Sequence, residues 1–391
     1  MTLQIMTSAE HCNENRVSEK DIYWMRQAIA ESRKGIFIAP PNPAVGCVIV
    51  RDGCEIARGY THAPGSAHAE IDAINNAAKN GASVEGATVY VSLEPCSHYG
   101  RTPPCALRLI KEKVGRVVAA ITDPNPAVAG RGLRMLKDAG IEVESGVCAD
   151  EAREANIGFL TRMERGTPWV RMKVAASLDG RTALANGQSQ WITGPEARRA
   201  GYLLRARAQG LLTGVGTVLA DDPQMNVRLE GDYPSPVKYV LDAEARTPVT
   251  AKILQGKRCV VFVKAGADSA RVAALEAAGA VVRPVAATQT TAPDGSIREV
   301  LDLGEVLRSI GTDEINELHV EAGAAVNGAL ISVGLVDEIV AFVAPAFMGE
   351  GMPAARLPVF TSMDEVSRWR FESVERMGED LELVLRPWTQ K

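Results

Sequence analysis

Long apolar runs are absent from this chain of 391 residues. The longest, such as Ile339 to Met348, fall well short of the roughly 20 residues that span a bilayer. That argues against a helical membrane protein. The first stretch, Met1 to Arg16, is polar and lacks the apolar segment of a secretory signal, so we expect a cytoplasmic address. Cysteine is sparse, seven residues and an odd number, which argues against a disulfide framework. A basic surface is missing too. With a formal net charge of −5 and no stripe of aromatic and basic residues, the chain has no general attraction for nucleic acid or anionic membrane. Internal repeats and low-complexity tracts are also lacking.

What remains is ordinary globular material, 46% hydrophobic and 23% charged. The length exceeds one core, so two domains are expected. Apolar Ile22, Met25, Ile29 and Ala30 recur at helical spacing behind Ser18, a plausible N-cap, and Gly35 ends that helix. Strand, Asp52-Gly53 turn and strand follow, then helices and strands alternate to Val147. This order predicts a layered α/β sheet. Residues 1–17 read as an extension, 18–150 as a first α/β domain, 151–167 as a helical linker ending at Gly166-Thr167-Pro168, and 168–391 as a second α/β domain. Val285 to Gly295, polar and Thr-rich, reads as an exposed loop.

The first half carries His68-Ala-Glu70, then Pro95-Cys96 and Pro104-Cys105. One imidazole and two thiols leave a fourth tetrahedral position open, as a catalytic zinc site requires. The pattern H-x-E…P-C-x-x-C marks zinc nucleobase deaminases. Here eight residues, Ser97 to Pro104, separate the cysteines instead of two. Residues two apart do not share a helix face, so His68 and Glu70 converge only if the metal lies off the start of their helix. Cys105, behind two prolines, also opens a helix. Glu70 is then the proton carrier of a hydrolytic deamination. The competing reading is a structural zinc closed by a fourth ligand, for which His98 is the candidate.

In the second half, Gly214-Val-Gly216 lacks the remainder of a dinucleotide fingerprint. The run from Glu321 to Ala329 places small residues between a strand and a helix, which suits either a phosphate or plain helix–sheet packing. Arg205 and Arg228 could clamp a phosphate, although Arg205 shares its segment with Arg198, Arg199 and Arg207 and could equally lie on a solvated basic face.

Taken as an ordered set, the motifs resemble one family. Asn42-Pro-Ala-Val-Gly46, Gly59-Tyr-Thr-His62, His68-Ala-Glu70, the long Pro95…Cys105 loop and Asp123-Pro-Asn-Pro126 are similar to the deaminase half of the bifunctional riboflavin-biosynthesis deaminase/reductases. Lys173 to Arg181, Ser189-Gln-Trp-Ile-Thr193, Thr213 to Pro223 and Val320-Glu-Ala-Gly323 resemble the reductase half. The resemblance implies a cytidine-deaminase-like three-layer α/β/α domain followed by a dihydrofolate-reductase-like α/β domain. It implies one Zn²⁺ per chain on His68, Cys96 and Cys105, with Glu70 catalytic, and NADPH as reductant. Asn42 and His62 would face a small phosphoribosylaminopyrimidine. Ala175, Trp191, Thr217, Asp221 and the run Gly323, Ala324, Ala325, Val326, Asn327, Gly328, Ala329 would contact the cofactor. Ser189, Arg205, Met225, Arg228 and Glu321 would contact the second substrate. A homo-oligomer is compatible with all of this. Two readings from other classes stand beside it: a nucleic-acid-editing deaminase with a binding module, and a deaminase whose second half only senses a nucleotide.

Overall fold

Ser18 opens the first helix as expected: its hydroxyl accepts the Asp21 N–H at 3.1 Å, capping α1 (Glu19–Ser32). The computed structural model describes residues 18–99, 103–126, 128–291 and 297–388, so the expected extension lies outside them. The chain divides into two units. One takes in the chain up to Lys34 and Ala44–Ala155; the other takes in Gly35–Pro43 and Asn156–Lys391.

In the first unit, β1 (Gly46–Arg51) and β2 (Cys54–Tyr60) form a hairpin. Its turn residues, Asp52 and Gly53, have φ of 53° and 77°, as a tight two-residue turn demands. Then come α2 (Ala69–Lys79), β3 (Thr88–Val91), α3 (Cys105–Lys111), β4 (Arg116–Ala119), α4 (Arg131–Asp138), β5 (Glu142–Ser145) and α5 (Ala149–Ala155). The sheet order is β2-β1-β3-β4-β5, with β3, β4 and β5 mutually parallel. Val48, Val50, Tyr90 and Val118 pack against Met25, Ala28 and Ile29 of α1 and Ala152 of α5. Their alternates Cys47, Ile49, Val89, Val91 and Val117 are buried on the opposite face. Gly59, paired with Cys47, lies on that face, and a side chain there would strike the backbone of α2 at Ala69 and Ala73. Helix, sheet, helix: this is the expected three-layer arrangement.

The second unit starts with α6 (Ile157–Arg165), β6 (Trp169–Ser177), β7 (Arg181–Leu184), α7 (Pro195–Arg207), β8 (Gly210–Gly214) and α8 (Val215–Asp221). It continues with β9 (Val237–Leu241), β10 (Cys259–Lys264), α9 (Ser269–Ala277), β11 (Val281–Val285), β12 (Ala287–Thr291), β13 (Ile297–Leu301) and α10 (Leu303–Thr312). It ends with β14 (Glu317–Val320), α11 (Ala324–Ser332), β15 (Glu338–Ala344), β16 (Gly351–Pro353), β17 (Trp369–Met377) and β18 (Asp380–Pro387). The main sheet runs β11-β10-β9-β8-β14-β6-β15-β18-β17, parallel as far as β15. Met172, Leu212, Tyr239, Phe262, Leu318 and Val320 form its core. The expected loop at Val285 to Gly295 is corrected over its described part: Val285 ends β11 and Ala287–Thr291 pairs with Ile297–Leu301 as an antiparallel ladder, while residues 292–295 lie outside the described residues. Its β-branched threonines favour that over a loop. Residues Gly35–Pro43 join this unit through the Pro41 carbonyl, which accepts from Asn316 Nδ2 (3.1 Å) and Arg162 Nη2 (3.3 Å). Phe37 also meets Tyr233 edge-on. No helix among the described residues is long and apolar enough to cross a membrane.

One polar cluster is built into the sheet. Arg171 of β6 bonds Glu317 at 2.6 Å and Glu338 at 2.5 Å, all three almost fully buried. Arg207 backs Glu317 at 2.9 Å and Arg386 backs Glu338 at 2.9 Å. Burial pushes the Glu317 carboxyl up, but Arg207 and Arg171 outweigh it and hold it near 2, below its usual 4.5. A depressed folded value means this stability is present above pH 4.5 and lost as pH falls toward 2. We expect Arg171→Met to cost about 3–5 kcal/mol in urea unfolding at neutral pH, because two carboxylates lose their shared partner. The variant should also lose less additional stability than the parent between about pH 4.5 and 2. A neutral-pH cost under about 1 kcal/mol would mean the outer arginines suffice.

Candidate functional site

His68 is the residue before α2, with extended backbone (φ −76°, ψ 166°), and Cys105 is the first residue of α3, after Pro104. The i, i+2 difficulty disappears because His68 stands outside the helix while Glu70 lies in its first turn. His68 Nδ1 is 3.6 Å from Cys96 Sγ and 3.4 Å from Cys105 Sγ. All three ligand atoms lie within 4.8 Å of one another, and His98 is not part of the group. A tetrahedral zinc with nitrogen at about 2.05 Å and sulfur at about 2.3 Å separates those atoms by roughly 3.6 Å. The donor set fits the ion in element type and in spacing.

The Cys105 thiol and its own N–H (3.2 Å) hydrogen-bond to the Cys96 sulfur, and with His68 they bring the Cys96 thiol down to about 4. The same bond, with burial, pushes Cys105 well up. Its proton is the one that a divalent cation would displace. Glu70 is buried; burial and the Cys96 charge push its carboxyl up to about 7, against the pull of His68.

Sequence reasoning missed the group that shapes this corner. Glu94, 4% exposed, accepts backbone N–H bonds from Asp123 (3.1 Å), Gly130 (2.9 Å) and Gly132 (2.8 Å). It pins the Asp123-Pro-Asn-Pro126 segment beside Pro95 and Cys96. The only sequence signal was its place before Pro-Cys. His62 meets Asp72 Oδ2 at 3.2 Å, and its ring lies 4.4 Å from that of Tyr60. Asp72 sits one turn from His68, its N–H bonded to the His68 carbonyl at 2.9 Å. Asn42 belongs to Gly35–Pro43, its N–H bonded to the Ala39 carbonyl at 3.0 Å.

The second unit holds a cavity of about 1190 Å³ beside the carboxyl ends of its central parallel strands. The expected substrate contacts Ser189, Arg205, Met225, Arg228 and Glu321 all line it. Of the expected cofactor contacts, Ala175, Trp191, Thr217, Asp221 and Gly323 through Asn327 line it. Gly328 and Ala329 lie outside that lining; Gly328 abuts the Arg356 carbonyl, and Asn327 Nδ2 donates to the Ala354 carbonyl at 2.8 Å. Arg205 grips Glu321 through two bonds, 2.5 and 2.7 Å, and donates to the Asn226 carbonyl at 2.9 Å. Arg228 reaches the Asn226 side chain at 3.2 Å, so Asn226 gathers both arginines. Buried His319, also missed, meets Glu321 Oε1 at 3.1 Å. Trp191 is exposed under the Arg198 guanidinium, 4.6 Å away, and is no core residue. Gly323 has φ −78°, and a Cβ there would meet only Thr217 Oγ1 at 3.7 Å. That glycine leaves open space at the start of α11 and serves no left-handed turn.

Comparison with known proteins gives two family matches, one in each half of the chain. Residues 18–121 match the family described as the cytidine and deoxycytidylate deaminase zinc-binding region, and residues 168–383 match the RibD C-terminal domain. The chain is 40% identical over 383 residues to the riboflavin biosynthesis protein RibD of Haemophilus influenzae, covering 95% of this chain and 98% of that one. It is 40% identical to the Escherichia coli RibD, covering 94% and 99%. The chain belongs to the RibD family of riboflavin biosynthesis proteins. It is a bifunctional enzyme, a deaminase joined to a reductase. An Acinetobacter baumannii RibD structure superposes with a TM-score of 0.84 at 39% identity, covering 95% of this chain and 99% of that one. A Thermotoga maritima structure, described as a diaminohydroxyphosphoribosylaminopyrimidine deaminase/5-amino-6-(5-phosphoribosylamino)uracil reductase, gives 0.81 at 28% identity, covering 94% and 99%.

The donor geometry yields a direct expectation. Metal-stripped protein should take up one zinc per chain and release protons as it does so. Cys96→Ser or Cys105→Ser should weaken that binding by more than the roughly 10–100-fold that loss of an outer partner costs. His98→Ala should leave both affinity and stoichiometry unchanged in a chelator competition. Metal loss in His98→Ala would make the site a closed, four-ligand one.

Proposed function

We propose that His68, Cys96 and Cys105 hold Zn²⁺ and that Glu70 moves the protons of a hydrolytic deamination. The substrate is the phosphoribosylaminopyrimidine that gives the Thermotoga relative its description. The observation that carries this reading is a three-donor set at zinc spacing with a buried carboxylate in the first turn of the helix that His68 precedes. Zinc bound there supplies Lewis acidity, bringing water toward ionisation near neutral pH. Glu70 takes a proton from the attacking water, delivers it to a ring nitrogen and then protonates the departing amine. Carbon exchanges C–NH₂ for C=O, and one water becomes one ammonia. Glu70 is suited to both directions of transfer because its surroundings disfavour a permanent charge. His62, steadied by Asp72, contacts the substrate.

The second half then reduces the ribosyl C1′ and opens the sugar to a ribityl chain. NADPH supplies the hydride. Arg205, Glu321, Ser189, Met225 and Arg228 orient the substrate, while Ala175, Trp191, Thr217, Asp221 and the Gly323 to Ala329 segment hold the cofactor. The cavity's volume suits two ligands side by side, and its wall carries many more cations than carboxylates, in keeping with phosphorylated ligands. A mere nucleotide sensor would bind NADPH without consuming it.

The deciding assay supplies the pyrimidine with and without NADPH and follows ammonia release and NADPH absorbance separately. Ammonia should appear without NADPH, and NADPH should be consumed only after deamination. Glu70→Gln should retain zinc while deamination falls by about 10²-fold or more; metal loss in that variant would make Glu70 a ligand.

Gly323→Val tests the cofactor end of the other cavity. Two methyls would fill the open space before α11 without backbone strain, since φ is −78°. NADPH affinity should drop at least about tenfold, or 1.4 kcal/mol, with deamination intact. Unchanged affinity in a fluorescence titration would leave the segment as helix–sheet packing.

A further inference from the structure

Neither proposed reaction employs His319, although it lies fully buried in β14 and its ring meets a substrate contact, Glu321 Oε1, at 3.1 Å. Side chains alternate along a strand, so Glu317, His319 and Glu321 share one face of β14 and its extension. Helix α7 answers the two carboxylates, Arg207 pairing with Glu317 at 2.9 Å and Arg205 with Glu321 at 2.5 Å. Glu317 belongs to the closed cluster around Arg171, whereas Glu321 lines the cavity. The imidazole stands between them, its residue in register with Arg171 of β6 and Leu211 of β8.

A carboxylate only accepts, so the Nε2 that faces Glu321 carries the ring's proton and Nδ1 is bare. Nδ1 is buried with no hydrogen-bond partner among the described residues. A second proton there would be a buried donor with nothing to receive it. Burial, with Arg171 and Arg205 nearby, holds the imidazole below its usual 6.5 against the pull of Glu321. His319 is therefore a neutral donor fixed in one tautomer.

The two oxygens of Glu321 are not equivalent as a result. The Arg205 fork gives one bond to each, Nε to Oε1 at 2.5 Å and Nη2 to Oε2 at 2.7 Å, and so cannot choose between them. A carboxylate oxygen has about two acceptor positions. Oε1 fills both, with Arg205 and His319; Oε2 keeps one. Resting on the reading of Glu321 as a substrate contact, we infer that His319 is a positioning residue. It occupies Oε1, stops the carboxylate turning, and leaves Oε2 as the oxygen that receives a hydroxyl or N–H of the reductase substrate.

The test uses the full chain, its zinc intact, supplied with the already deaminated pyrimidine at saturating NADPH. His319→Leu, which keeps the bulk and loses the donor, should lower kcat/KM for that substrate about tenfold or more. NADPH affinity and deamination should stay within about twofold of the parent. His319→Gln should recover most of the loss, since its amide N–H stands where Nε2 does, whereas His319→Asn, one methylene short, should not. Glu321→Ala should lower kcat/KM by itself. Adding His319→Leu to it should cost less than about a further twofold, because the group that His319 acts through is gone. A merely structural histidine would add its full cost in both backgrounds, and that result overturns the inference. So does a His319→Leu variant that equals the parent. If His319→Leu does not fold, the Gln and Asn variants decide, and equal kcat/KM in the two rejects the donor role. If Glu321→Ala matches the parent, the substrate-contact reading of Glu321 fails and takes this inference with it.

Discussion

Parallel strands cannot turn straight back on themselves. Each leaves its sheet at the carboxyl end, crosses a face as a helix or loop, and returns at the other end. Neighbouring carboxyl ends therefore collect the loops that are free to carry chemistry. In the second unit β9, β8, β14 and β6 are consecutive neighbours, and Arg246, Gly214, Glu321 and Ala175 lie at or near their ends around one cavity. In the first unit β3 and β4 are parallel neighbours, and Glu94, just beyond β3, bonds the Asp123 N–H just beyond β4. Cys96, two residues beyond Glu94, takes its place from this pairing. The opposite end of the second sheet holds Arg171, Glu317 and Glu338, a cluster that closes on itself.

The two ends of that sheet handle charge in opposite ways. At the strand starts, three arginines and two glutamates neutralise one another within hydrogen-bond distance. At the cavity, Lys173, Arg198, Arg228, Arg246 and Arg356 stand among few carboxylates, and only Glu321 and Asp222 are answered by an arginine or a lysine. A concave surface of one sign focuses its field on anions. The chain is nonetheless negative overall, −5 by formal count. Net charge argued against a nucleic-acid surface, but it was blind to a local basic pocket that only the fold assembles.

Legibility followed the range of the interaction. Ser18 as a cap and the Asp52-Gly53 turn are local matters, set by neighbours within four residues, and they were readable; the start of α2, expected near Ser66 or Ala67, falls instead at Ala69, which leaves His68 just outside the helix. The grouping of His68, Cys96 and Cys105 was readable as well, because only certain side chains can ligate. Glu94 and His319 were not, since a buried carboxylate and a buried imidazole look in sequence like any others until their partners, 29 residues and two residues away, are in view. The short α8 was also missed: Gly216 in its first turn weakens every local signal for a helix. Gly35–Pro43 is the extreme case, because the hydrogen bond from Asn316 to the Pro41 carbonyl spans 275 positions.

The spacing of the cysteines, the feature that least resembled other zinc deaminases, becomes unimportant once the ends of the loop are examined. The Ala106 N–H bonds the Cys96 carbonyl at 3.2 Å and the Cys105 N–H bonds the Cys96 sulfur at 3.2 Å. The chain leaves Cys96 and returns to the same point. Lengthening such a loop from two residues to eight is two doublings, roughly 1.2 kcal/mol of closure entropy at about 0.6 each. That is small beside the apparent 10–16 kcal/mol with which structural zinc sites hold their ion. Two thiols therefore need a common point of return more than a fixed interval. A search for zinc chemistry that demands two intervening residues rejects this chain, whereas one that asks where His68 and Cys105 stand relative to their helices accepts it.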